Sequence, residues 1–209
     1  GVRAFPTVND FGMDSVSMGR LLSDPARRTN LINNLLDMVT RVGADGVDLD
    51  FEAMNSPASP WRTTVRKKFP VFVADLANAL HQQDLSLSLT VPARVSDKDP
   101  NWTVYDYRAL AGLPDRVTVM TYDYHYAGGE PGPLAPIDWV NQVAHYAHAR
   151  FGRTPVFMGQ PASGLNWYVK RESGTCPDLD PPLRSGGGGH AKHGGGDATT
   201  ERPSATLTD

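Results

Sequence analysis

Residues 45–52 read Asp45-Gly46-Val47-Asp48-Leu49-Asp50-Phe51-Glu52. Three acids, Asp48, Asp50 and Glu52, alternate with Val47, Leu49 and Phe51. Residues two apart on a β-strand share a face, so the pattern predicts a strand with one carboxylate face and one apolar face. This constrains the fold strongly. The apolar row needs a covering layer, and the acidic row needs polar surroundings. Like charges on one face cost stability, so packing alone gives no reason for them. Crowded carboxylates do, however, raise one another's proton affinity and can keep a terminal acid protonated near neutral pH. A protonated Glu52 with an ionised or proton-sharing aspartate behind it is a general acid.

The flanking sequence places that strand in a repeating pattern. Residues 2–8 read as a short buried strand. Asp24 and Pro25 form a helix start, and Ile32, Leu35, Leu36 and Val39 follow at helical spacing before Gly43 ends the run. After the acidic strand, 46–52, comes a polar loop at 53–60. A helix over 61–82 then carries Val65, Phe69, Phe72, Val73, Leu76 and Leu80 on one face. Strands are predicted at 85–91, 116–122 and 155–159, with a helix over 137–151. Alternation of this kind means βα units around a parallel sheet. Such folds place their sites at the carboxyl ends of the strands, which puts Glu52 at the same rim as Tyr122 and Asp123.

Composition sets the outer limits. The 209 residues are 40% hydrophobic and 21% charged, enough for one domain with a real core. A formal net charge of −3 exerts no global pull toward nucleic acid or an anionic membrane. The single cysteine, Cys176, excludes an internal disulfide framework and a cysteine-based zinc site. No apolar run approaches the ~20 residues of a membrane-spanning helix, and no signal peptide is legible. Residues 171–209 hold two glycine tracts and almost no large apolar side chain. They are expected to be a disordered Gly/Pro-rich tail, with His190 and His193 solvated within it.

The acidic strand has three readings: a carboxylate relay, a metal site or an acidic edge. A calcium loop of the helix–loop–helix type needs its glycine at the sixth position and a glutamate at the twelfth, and the spacing here is wrong. A transition-metal site wants histidine partners, and the flanking residues supply none. The interleaved Val, Leu and Phe argue against a fully exposed edge.

The octet resembles the Asp-Gly-x-Asp-x-Asp-x-Glu signature of glycoside hydrolase family 18, the chitinase-like enzymes. Met120-Thr121-Tyr122-Asp123 resembles that family's Met-x-Tyr-Asp motif. Residues 85–93 are similar to its fifth barrel strand and 156–167 to its seventh. The stretch from His125 to Trp139 is closest to bacterial spore cortex-lytic type catalytic domains. The likeness runs from residue 1 to about 168.

The resemblance implies a (β/α)8 TIM barrel over residues 1–170. Five strands are legible, so the first two and the eighth are expected to lie outside this stretch, leaving open sheet edges and low stability. It also implies hydrolysis of β-1,4 bonds in N-acetylglucosamine glycans of peptidoglycan or chitin type by a substrate-assisted retaining route, outside the usual two-carboxylate scheme. Glu52 would protonate the leaving oxygen, Asp50 would orient the substrate's acetamido group, and Asp48 would share a proton with Asp50. Tyr122 would hold the acetamido carbonyl. Met120, Asp123, Asp45 and Trp167 would line the substrate site. The tryptophans Trp61, Trp102 and Trp139 are further candidates for stacking on sugar rings. No metal or other cofactor is implied, the chain is expected to be a monomer, and an extracellular or cell-envelope location fits the family. The other reading is a non-catalytic carbohydrate-binding relative or an inactive remnant, and an intact Glu52 weighs against it.

Overall fold

The computed structural model describes residues 1–55, 60–99 and 102–167. Cys176, His190, His193, Asn101 of a glycosylation sequon and the 171–209 tail lie outside the described residues. In chain order the elements are β1 (Thr7–Asn9), α1 (Ser15–Ser23), α2 (Pro25–Val42), β2 (Gly46–Asp50), α3 (Arg62–His81), β3 (Ser86–Pro92), α4 (Tyr107–Leu110), β4 (Arg116–Met120), α5 (Ile137–Phe151) and β5 (Val156–Met158). The strands lie side by side in the order β1-β2-β3-β4-β5, and all four pairs are parallel. Among the described residues the sheet is open, with β1 and β5 as its edges. None of the described helices is long and apolar enough to cross a membrane.

Local chemistry explains most boundaries. The Asp24 side chain accepts the amides of Ala26 and Arg27, Pro25 occupies the first turn, and Gly43 closes α2 in the left-handed region at φ 63°. Helix α3 buries all six apolar residues named from its periodicity. Two helices were not legible. Helix α1 starts at Asp14, whose carboxylate accepts the Ser17 amide at 2.7 Å, and it buries Met18 and Leu22. Helix α4 is a single short turn capped by Asp106.

The first strand departs from expectation. It spans only residues 7–9 and is not buried, with Thr7 and Asn9 exposed. Pro6 has no amide hydrogen to give to a ladder, and the carbonyls of Ala4 and Pro6 receive the amides of Asp45 and Asp48. The acidic strand is also shorter than the pattern suggested. Its ladder stops at Asp50, because the amides that follow bond to a side chain instead.

The two-faced reading of β2 holds in its packing. Val47, Leu49 and Phe51 are all buried. The Phe51 ring stacks on Phe72 at 6.1 Å and meets Phe69 at 6.4 Å, so the acidic strand is welded to α3 through its apolar row. Burying each such side chain contributes roughly 1.5–3 kcal/mol. Gly46 has a separate task. A Cβ there would sit 1.9 Å from the Ser86 carbonyl oxygen and 2.8 Å from the Phe5 ring, so only glycine lets β2 lie against β3 at this end.

This contrast is testable. Gly43→Ala meets open space and costs only the left-handed backbone penalty, about 1 kcal/mol. Gly46→Ala drives a methyl into a neighbouring strand's backbone and should cost about 3 kcal/mol or prevent folding. Urea unfolding of the two variants checks this, and equal effects would remove the steric account of Gly46.

Candidate active site

The acidic row of β2 faces polar neighbours from the strands on either side. Asp48 is only 7% exposed. Its Oδ2 accepts the Thr7 hydroxyl of β1 at 3.3 Å and the Thr90 hydroxyl of β3 at 2.9 Å. Threonine hydroxyls hold Asp48, and it acts on Asp50 through space. Asp50 ends the strand half-buried, and its Oδ1 is buried with no hydrogen-bond partner among the described residues. Burial pushes the Asp50 carboxyl up to about 6, and the charges of Glu52, Asp48 and Asp10 add to the rise.

Glu52 lies two residues past the end of the ladder, where strand pairing no longer fixes it. A residue absent from the sequence reading does so. Asp10, 3% exposed on the loop after β1, accepts three consecutive backbone amides. They are Glu52 at 2.7 Å, Ala53 at 2.8 Å and Met54 at 2.9 Å. From the other side the buried Tyr105 hydroxyl donates to the Phe51 carbonyl. The signal for Asp10 was present: an acid directly following the first strand of a parallel sheet sits at the functional rim. Its partners, more than forty residues away, were not.

The second motif arrives at the same rim. Met120 ends β4 facing the acidic row's side of the sheet, and Tyr122 follows just beyond the strand. Burial raises the affinity of the half-buried Tyr122 phenol for its proton, and the charges of Asp50, Glu52 and Asp123 raise it further. These couplings put Tyr122 in electrostatic reach of Asp50 and Glu52. Among the described residues no hydrogen bond holds its hydroxyl. Asp123 is exposed and left-handed at φ 58°, a conformation that aspartate tolerates better than most residues.

The remaining candidates divide. Asp45 stands at the opposite end of β2 from Glu52, where its carboxylate accepts the Ala4 amide at 2.7 Å. It ties the N-terminal segment to the sheet and does not join the other site residues. The reason is strand geometry: seven residues at ~3.3 Å each separate Asp45 from Glu52. Trp167 donates its indole N–H to the Gly129 carbonyl in the loop after β4. His125 belongs to that same loop, with Nδ1 2.8 Å from the Glu130 carbonyl oxygen. The other tryptophans are engaged in packing. Trp61 lies on Gly19 of α1, Trp102 beside Tyr105, and Trp139 against Tyr124 at 5.1 Å.

The described residues between β3 and α4 are tied down by several hydrogen bonds. Arg94 is buried and donates to the carbonyls of Tyr105, Ser96 and Asp97. The Arg150 guanidinium and the Tyr146 hydroxyl bond to Asp97 and hold its carboxyl well below the usual range. Arg94 anchors the backbone of Tyr105, whose hydroxyl donates to the Phe51 carbonyl. Among the described residues, no group of three or more His, Cys, Asp or Glu side chains is arranged to hold a metal ion.

Comparisons with known proteins agree on one family. The sequence pattern of "Glycosyl hydrolases family 18" matches residues 12–203. A curated relative, "Putative sporulation-specific glycosylase YdhD" of Bacillus subtilis (strain 168), is 32% identical over 78% of this chain and 37% of its own length. The "Cortical fragment-lytic enzyme" of the same organism is 28% identical over 78% of this chain and 37% of its own length. Among solved structures, a class V chitinase from Pseudomonas fluorescens Pf-5 superposes with a TM-score of 0.70 at 30% identity, covering 78% of this chain and 50% of that one. The chain thus spans well under half the length of these curated relatives. The parallel sheet and these neighbours indicate a TIM-barrel-like α/β fold.

The raised Asp50 carboxyl makes a stability prediction. Its folded value, about 6, lies above the unfolded value of 3.8. The folded state therefore holds the proton more tightly, and stability is lost as pH rises from about 4 through about 6. Asp50→Asn removes that cost. Discounted for its partial exposure, the gain at pH 8 should be roughly 1–2 kcal/mol, vanishing near pH 4. Chemical denaturation of both proteins at the two pH values checks it, and a gain independent of pH would count against the shift.

Proposed function

The chain belongs to family 18 of the glycosyl hydrolases, and from that premise we propose that it cleaves β-1,4 bonds in N-acetylglucosamine-containing glycans by a substrate-assisted retaining mechanism. The observation that carries this reading is Asp50. Its buried Oδ1, without a hydrogen-bond partner among the described residues, belongs to the acid between Asp48 and Glu52, within electrostatic reach of Tyr122. An acceptor left empty in this position suits a ligand N–H.

In the proposed reaction the acetamido carbonyl oxygen of the sugar attacks the anomeric carbon. The glycosidic oxygen leaves with the proton of Glu52, and an oxazolinium forms on the substrate. Asp50 accepts the acetamido N–H and stabilises the positive charge that develops. The Tyr122 hydroxyl donates to the acetamido carbonyl and fixes it for attack. Water then adds to the anomeric carbon from the vacated side as the bond from the acetamido oxygen to that carbon breaks and the acetamido group is restored, and Glu52 takes a proton from the attacking water. Asp48, anchored by Thr7 and Thr90, keeps a negative charge behind Asp50. Met120 lines the floor, while Asp123 and Trp167 contribute at the rim. The relatives' names point to spore cortex and chitin, so polymers of both types are proposed substrates.

Two substitutions and one substrate change test the chemistry on a chromogenic chitooligosaccharide. Glu52→Gln should lower turnover by at least about 10³-fold while sugar binding persists, in keeping with loss of a proton donor. The matching oligosaccharide with free amines in place of acetamido groups should not be cleaved. Equal turnover by wild type and Glu52→Gln would remove Glu52 from the mechanism. Binding with no turnover by the wild type would favour a non-catalytic carbohydrate-binding protein.

A further inference from the structure

We propose that Asp10 is a positioning residue for Glu52. With Tyr105 on the opposite flank, it clamps the Phe51–Glu52 peptide so that the proton donor is presented from a fixed backbone. The inference rests on the reading of Glu52 as the proton donor.

The need for a clamp follows from the end of the ladder. Strand β2 pairs with its neighbours only as far as Asp50. Beyond it no strand pairing fixes the backbone and the packing of Phe51 holds only that side chain, while a displacement of ~1 Å at a reacting group can cost about 10²-fold in rate. Asp10 replaces the missing strand bonds. Its Oδ1 takes the amides of Glu52 and Ala53 at 2.7 and 2.8 Å, and its Oδ2 takes that of Met54 at 2.9 Å. Asp10 is itself fixed, because it is buried and its own carbonyl accepts the Met13 amide at 3.0 Å. On the other flank Tyr105 holds the Phe51 carbonyl, and Arg94 holds the Tyr105 carbonyl at 2.6 Å.

The choice of aspartate is informative. A third carboxylate near Asp50 and Glu52 adds repulsion that a neutral side chain would avoid. Asparagine, however, offers a single acceptor oxygen, and its NH2 would face the Met54 N–H donor to donor. Only a carboxylate satisfies all three amides with both oxygens accepting. Binding those amides outweighs the repulsion.

The experiment compares the chain with Asp10→Ala, Asp10→Asn and Tyr105→Phe. The first readout is amide hydrogen exchange by NMR and needs no activity. In the Asp10 variants, exchange at Glu52, Ala53 and Met54 should speed up at least tenfold, while Asp48 and Leu87, whose amides donate to the Pro6 carbonyl and the Asp115 carboxylate, keep their protection. The second is hydrolysis of the chromogenic chitooligosaccharide. The value of kcat should fall about 10–100-fold in Asp10→Ala, less in Asp10→Asn, and measurably in Tyr105→Phe, with KM within about threefold of wild type. Unchanged exchange at the three amides, or loss of protection at Asp48 and Leu87 as well, overturns the proposal. So does kcat within twofold of wild type, or an effect confined to KM. A wild-type chain without turnover defeats the catalytic reading instead, and the exchange result then decides on the clamp alone.

Discussion

Three carboxylates, two on one face of a five-residue strand and the third just past its end, repel one another, and much of the surrounding structure exists to hold them there. The restraint comes first from the back of the strand. Val47, Leu49 and Phe51 are buried against α3, so β2 cannot twist its acids outward without exposing that row. It comes next from the sides, where Thr7 and Thr90 donate hydroxyls to Asp48. It comes finally from beyond the strand, where Asp10 and Tyr105 take over from the ladder. The repulsion that remains, together with burial, is expressed as the raised proton affinity of Asp50.

These restraints explain how fold and site are joined. A parallel sheet delivers successive strand ends to one rim, so Glu52 after β2 and Tyr122 after β4 come within electrostatic reach of each other although seventy residues separate them. Gly46 lets β2 approach β3 at the other end of the same strand, and the register that aligns Asp48 with Thr7 and Ser88 follows. A glycine that looks incidental in the sequence pattern is thus a condition for where the acids point.

Much of this was legible in the sequence. Period-two alternation gave the two-faced strand, helical periodicity gave the buried side of α3, and Asp24, Pro25 and Gly43 bounded α2 by capping chemistry. What escaped shares a physical cause. Asp10, Thr90 and Tyr105 act through contacts between residues about forty or more apart, and nothing local marks them. Helix α1 was missed because its periodic apolar signal is short. Asp45 was misplaced because motif membership says nothing about which end of a strand a residue occupies. The two hydroxyls that hold Asp48 likewise come from neighbouring strands, and nothing in the octet announces them.

The account turns on one electrostatic claim: crowding and burial on the β2 face lift Asp50 out of the ordinary aspartate range. Carboxyl carbon NMR titration of the folded chain, with the Asp50 signal assigned from Asp50→Asn, tests this directly. The account predicts a midpoint near 6. A midpoint near the unperturbed aspartate value of about 4 would contradict it.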